Sequence, residues 1–140
     1  MLSKRTQYAL RAMMYIASNQ KNNKIGVNFI AEELAIPKQF LSKILQELVI
    51  NGLLHSSKGK KGGFYLTNKN LNSNLRQIIE IFDGDSFFKG CVIGLEQCSS
   101  ENPCALHAAT AIYRNDIKKN LEVNSLKELA IQIHDKKLSI

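Results

Sequence analysis

In 140 residues, 44% hydrophobic and 22% charged, the chain has enough apolar material for one globular core and too little length for a multi-domain enzyme. Three cysteines, a small and odd number, argue against a disulfide scaffold and for reduced thiols in the cytoplasm, and no apolar run reaches the roughly 18 residues of a membrane span. The net charge of +7 is lopsided: residues 1–70 hold eleven Lys and Arg against three Asp and Glu, and residues 71–140 eight against nine, so the first half reads as a polyanion-binding module with nucleic acid favoured over a membrane surface.

The opening MLSKRTQYALRAM has no signal-peptide-like apolar core, so export is not expected. From Ser3 to about Ser18 the spacing predicts a helix, with Tyr8, Ala12 and Tyr15 on one stripe and Ala9, Met13, Ile16 and Ala17 beside it. After an extended Ile25-Gly26-Val27, Asn28 is the expected cap of a short helix from Phe29 to Ala35. Pro37 then suits the first turn of a longer helix whose apolar face is Phe40, Leu41, Ile44, Leu45 and Leu48, with Asn51-Gly52 as its stop. Short helix, turn, longer helix is a helix-turn-helix layout. The polar face of the second helix offers Lys38, Gln39, Ser42, Lys43 and Gln46, side chains suited to phosphates and base edges.

Two short strands are expected next, Leu53–Ser57 and Gly63–Thr67, flanking Lys58-Gly59-Lys60-Lys61-Gly62. The glycines permit a tight tip, and Lys58, Lys60 and Lys61 there can reach phosphates beside the groove that the helix occupies. Helix-turn-helix followed by a basic hairpin is the order of a winged helix. The expected fold is therefore mainly α, a winged helix-turn-helix over residues 1–70 that binds double-stranded DNA. Leu75 to Phe82 reads as a short amphipathic helix ending at Asp83-Gly84, and residues 71–103 as that helix plus a loop without periodic pattern.

All the cysteines lie in that loop or at its edge, as Cys91-x6-Cys98-x5-Cys104-x2-His107. Three thiols and an imidazole are the right number and kind of donor for a tetrahedral metal centre or an iron–sulfur cluster. Asn102-Pro103 looks like a helix start, which puts Cys104 in the first turn and His107 on the same face. His55 reads as a strand residue and His134 as a surface one. In the helix that follows, Leu106, Tyr113, Ile117 and Leu121 make one stripe, and Ala105, Ala108, Ala109 and Ile112 a second, small-residue face. Two apolar faces exceed the needs of one intrachain contact, so residues 104–140 are expected to supply a dimerisation helix and a C-terminal helix.

The YALRAM-type first helix, the wing SSKGKKGGFYL and the cysteine triad before a long helix resemble the IscR/NsrR/RirA/CymR family of bacterial winged-helix regulators, over Leu2 to about Leu129. The resemblance implies a homodimeric cytoplasmic transcription regulator, a repressor, in which an iron–sulfur cluster in the loop controls engagement of a near-palindromic operator. The IscR-type site, three cysteines and a histidine around a [2Fe–2S] cluster, matches Cys91, Cys98, Cys104 and His107 in order, although the first gap is one residue longer than usual. The NsrR-type site, a [4Fe–4S] cluster that recruits a carboxylate from the partner's first helix, fits less well because the first acidic residue here is Glu32. Ser42 stands where the IscR branch has a glutamate that tunes operator choice, and Lys60-Lys61 replaces a common Pro-Gly in the wing. Two alternatives remain: a regulator responsive to nitric oxide or iron through a [4Fe–4S] cluster, and a winged-helix regulator with a structural zinc ion on the same four donors. No nucleophile–base motif, phosphate loop or dinucleotide fingerprint points to an enzyme.

Overall fold

The computed structural model describes residues 2–140, which form helices around a single antiparallel hairpin. Helix α1 (Lys4–Asn19) starts where the Ser3 side chain accepts from the Thr6 N–H, and it buries Ala9, Leu10, Ala12, Met13 and Ile16 at the centre of the core. Helix α2 (Val27–Leu34) begins earlier than Asn28 as its cap would allow. Ile25 exchanges backbone hydrogen bonds of 2.9 and 2.8 Å with Phe64, which leaves the extended Gly26 as the N-cap and Asn28 exposed on the first turn. The helix ends at Ala35, whose left-handed φ of 51° turns the chain into α3 (Lys38–Ile50).

Pro37 is the residue before α3, not part of its first turn. Its ψ of 124° is non-helical, while its carbonyl already accepts from the Leu41 N–H at 3.0 Å. Leu41, Ile44, Leu45 and Leu48 are buried as their spacing requires. Phe40 is not on that face: it is 43% exposed and meets Tyr8 edge-on, with ring centroids 5.9 Å apart. Asn51 and Gly52, the latter at φ +76°, stop the helix as expected.

Strands β1 (His55–Ser57) and β2 (Gly63–Tyr65) pair as His55 with Tyr65, Ser56 with Phe64 and Ser57 with Gly63. The ladder is shorter than the apolar runs because Leu54 and Leu66 turn inward to the core, and Gln20 takes over the pairing of Leu66, accepting its N–H at 2.7 Å and donating to its carbonyl at 3.0 Å. Gly63 is obligatory here. Its φ is +140°, and a Cβ on it would come within 2.7 Å of the Ile25 carbonyl. The α2–α3 pair followed by this hairpin is a winged helix-turn-helix, and the chain is mainly helical.

Helices α4 (Asn68–Leu71) and α5 (Leu75–Asp83) follow, each opened by a capping box, and α5 packs against α1 through Ile78 and Ile79. A single-turn helix, α6 (Ser86–Lys89), interrupts the loop and buries Phe88. Helix α7 (His107–Val123) touches α5 and α6 and has no buried residue. Helix α8 (Leu126–Lys136) folds back on α1, with Leu126 fully buried in the core of the first half. No helix among the described residues is long and apolar enough to cross a membrane.

Candidate metal centre and nucleic-acid interface

The cysteine loop begins at a tight exit from α6. The Gly90 N–H donates to the Ser86 carbonyl at 2.7 Å, and a Cβ at Gly90 would meet that oxygen at 2.6 Å. Cys91 then opens a turn closed by the Gly94 N–H on the Cys91 carbonyl, with Gly94 at φ +76°. That turn aims the Leu95 and Ile93 N–H groups at the Cys91 sulfur, and they hold its thiol down to about 7. A second turn, in which Ser99 and Asn102 exchange hydrogen bonds of 3.1 Å, carries the chain past Cys98 to Cys104.

Asn102 therefore serves this loop and does not cap α7, which starts at His107 behind Leu106. Cys104 lies before the helix, joined to it by the His107 N–H on the Cys104 carbonyl at 3.0 Å, and is not in its first turn. The donors converge all the same. The Sγ atoms of Cys91, Cys98 and Cys104 lie within 4.8 Å of one another, Cys91 and Cys104 being 3.6 Å apart. His107 Nδ1 is 3.2 Å from Cys98 Sγ, and the Cys104 N–H points at that same sulfur at 3.4 Å. The Cys104 N–H favours a thiolate at Cys98, but burial and the neighbouring Cys104 and Cys91 thiols outweigh it and push the Cys98 thiol up. Three half-buried sulfurs and an imidazole at one point are a fitting donor set for a metal ion or a small iron–sulfur cluster, and the loop has no other core to fold around.

Two arginines that local spacing does not single out brace the elements around this loop. Arg114 on α7 donates to the Gly90 carbonyl at 3.3 Å. Arg76 on α5 pairs with Glu80 at 2.6 Å, with Asp85 ahead of α6 at 3.5 Å and with Glu122 on α7, and its guanidinium covers the Phe88 ring at 5.5 Å. Only the Arg76–Glu80 spacing of four was readable in advance. At the far end of α5, Arg5 of α1 stacks on Phe82 at 5.2 Å and pairs with Glu47 of α3. Helix α5 thus holds α6 and α7 at one end through Arg76 and, at the other, meets Arg5, which pairs with α3.

Lys38, Gln39, Ser42 and Lys43 line one shallow groove along α3 with Pro37 and Gln46. Lys58, Lys60 and Lys61 are exposed at the hairpin tip. Lys24 joins this basic surface, since it donates to Ser57 Oγ at 2.8 Å and lies 5.2 Å over the Tyr65 ring. His55 stacks on Tyr65 in the hairpin and His134 is exposed, so neither approaches the cysteines. Along α7, Ala108, Ala109, Ile112, Tyr113 and Ile117 are exposed, whereas Leu121 packs against the core; Ala105 and Leu106, expected on this helix, are exposed but lie in the turn that precedes it.

A family model described as Rrf2, an iron-dependent transcriptional regulator, matches residues 2–132. The chain belongs to the Rrf2 family. It is accordingly a transcriptional regulator and not an enzyme. An Aquifex aeolicus (strain VF5) protein named as an HTH-type transcriptional regulator is 33% identical over 135 residues, covering 94% of this chain and 92% of its own. Among solved structures, that of CymR, the global cysteine regulator of B. subtilis, is similar with a TM-score of 0.75 at 22% identity, over 94% of this chain and 96% of CymR. The IscR of T. potens is similar with a TM-score of 0.74 at 18% identity, over 100% and 93%. Both structural likenesses show that this Rrf2 chain has their winged-helix fold.

Proposed function

We propose that this Rrf2 regulator is a homodimeric repressor of transcription that binds a near-palindromic DNA operator under the control of an iron–sulfur cluster, [2Fe–2S] in type, held by Cys91, Cys98, Cys104 and His107. The observation that carries this reading is the convergence of the four donors from one irregular loop and the adjacent end of α7. Their closest contacts divide them two by two, Cys91 with Cys104 and Cys98 with His107, which suits a centre of two irons with two protein ligands each. Such a cluster, when bound, supplies a redox-labile cross-link between the loop and α7. The chain's own residues do the rest: the Cys104 N–H donates to a ligand sulfur, Arg114 holds the start of the loop to α7, and Arg76 holds α5, the α6 turn and α7 together.

DNA contact is assigned to Lys38, Gln39, Ser42 and Lys43 on α3 and to Lys58, Lys60 and Lys61 on the wing. The exposed apolar face of α7 at Ala108, Ala109 and Ile112, together with Ala105 in the turn ahead of it, is assigned to the second protomer, because an apolar face without an intrachain partner calls for one. Two recognition helices in a dimer then meet half-sites about 34–36 Å apart. Binding of the same DNA by cluster-loaded and cluster-free protein, compared anaerobically, tests the control step: a difference in affinity is expected, and equal affinities refute it. A structural zinc ion is the second reading, favoured by three sulfurs close enough to share one tetrahedral ion.

A further inference from the structure

We propose that the metal-free protein closes an intramolecular Cys91–Cys104 disulfide when it meets a small-molecule disulfide, with Cys98 left as a free thiol. Three cysteines allow three pairings, and the contacts select one. The Cys91 and Cys104 sulfurs face each other at 3.6 Å, so forming a bond of about 2.05 Å asks them to approach by roughly 1.5 Å. Cys91 lies between Gly90 and Gly94 in a stretch outside helices and strands, held by two turn hydrogen bonds and not by a helix or ladder, which makes that approach accessible. Cys98 also lies within 4.8 Å of both sulfurs, but its sulfur is held by His107 Nδ1 at 3.2 Å and by the Cys104 N–H at 3.4 Å.

Access favours the same pair. Cys91 borders a solvent-open pocket walled by Phe87, Tyr113 and Arg114, whereas neither Cys98 nor Cys104 lines it. The Cys91 sulfur, as thiolate, attacks one sulfur of the small disulfide, and one small thiolate leaves. Cys104, after losing its proton to water, attacks the Cys91 sulfur of the mixed disulfide, and the second small thiolate leaves. Two cysteine thiols are oxidised, the small disulfide is reduced to two thiols, and no other reactant is needed. On the cluster reading above, the cross-link withdraws two of the four donors, so reloading requires a thiol reductant first. The cross-link itself depends only on the three thiols.

The test uses the 140-residue chain stripped of metal under reducing conditions, exchanged into anaerobic buffer and exposed to oxidised glutathione. Free thiols are alkylated, and the protein is cut with trypsin and a glutamate-specific protease without reduction. Cleavage at Lys89, Glu96, Glu101 and Arg114 puts each cysteine in its own peptide. The expected product links residues 90–96 to residues 102–114 with Cys98 alkylated, and it persists in Cys98→Ser. In Cys104→Ser a glutathione adduct should remain on Cys91. A dominant link through Cys98, a stable adduct in the unsubstituted protein, or a covalent dimer overturns the proposal. Iron and sulfide uptake by the linked form should fall more than about tenfold and return with dithiothreitol. Normal uptake by a correctly linked form leaves the disulfide standing and refutes the proposed ligand set instead.

Discussion

Replacing the three wing lysines together, as Lys58→Gln, Lys60→Gln and Lys61→Gln, separates electrostatic attraction from base recognition. The three side chains are exposed at the hairpin tip, and among the described residues none makes an ion pair, so their removal should leave the fold intact. Each lysine that neutralises a phosphate adds about 0.9 to the slope of log affinity against log salt. Two protomers bringing about six such lysines to one duplex therefore supply a slope near 5, which over a rise from about 50 to 200 mM salt amounts to roughly a thousandfold in affinity. The assay is fluorescence anisotropy of a labelled duplex of arbitrary sequence titrated at four salt concentrations, and it does not require the operator to be known. The triple variant should lose most of that slope and bind every sequence more weakly. An unchanged slope refutes the placement of the wing on the phosphate backbone.

Three further outcomes follow from single sites. Ile112→Lys puts a charge into the exposed apolar face of α7 and should convert a dimer into a monomer by sedimentation velocity without changing the helical circular dichroism; an unaltered dimer places the interface elsewhere. Although burial alone would raise Asp83, hydrogen bonds from the Ser3 side chain and backbone N–H hold it below the usual carboxylate range. A lowered folded value stabilises above the unfolded value and is lost as pH falls through the folded one, so the drop in urea midpoint below about pH 4 should be smaller in Asp83→Asn than in the unsubstituted protein. His107→Cys replaces a weaker imidazole ligand with a thiolate, and the loaded variant should bleach more slowly at mildly acidic pH; equal lifetimes remove His107 from the ligand set.

The helical frame was legible wherever burial sets the pattern. Leu41, Ile44, Leu45 and Leu48 recur at helical spacing because one face of α3 meets the core, and Gly52 marks its end because the chain reverses there with positive φ. The boundaries that shifted are those set by partners distant in sequence. Asn28 lost the cap of α2 to Gly26 because Ile25 pairs with Phe64, a bond that local pattern cannot reveal. Asn102 has the composition of a helix cap, yet Ser99 and Gln97 claim it for the cysteine loop. That Cys91, Cys98, Cys104 and His107 could lie together was readable from residue type and spacing, and the fold brings them into contact. The arginines around them were not, since Arg76 draws its carboxylates from α5, from Asp85 ahead of α6 and from α7, elements that come together only in the folded chain.

The assignment of the four donors is tested most directly by anaerobic purification followed by visible absorption and by iron, sulfide and zinc determination on the same sample. A coloured protein with about two irons and two sulfides per chain, both lost in His107→Ala and in Cys98→Ser, is the expected result. A colourless protein carrying one zinc per chain contradicts it.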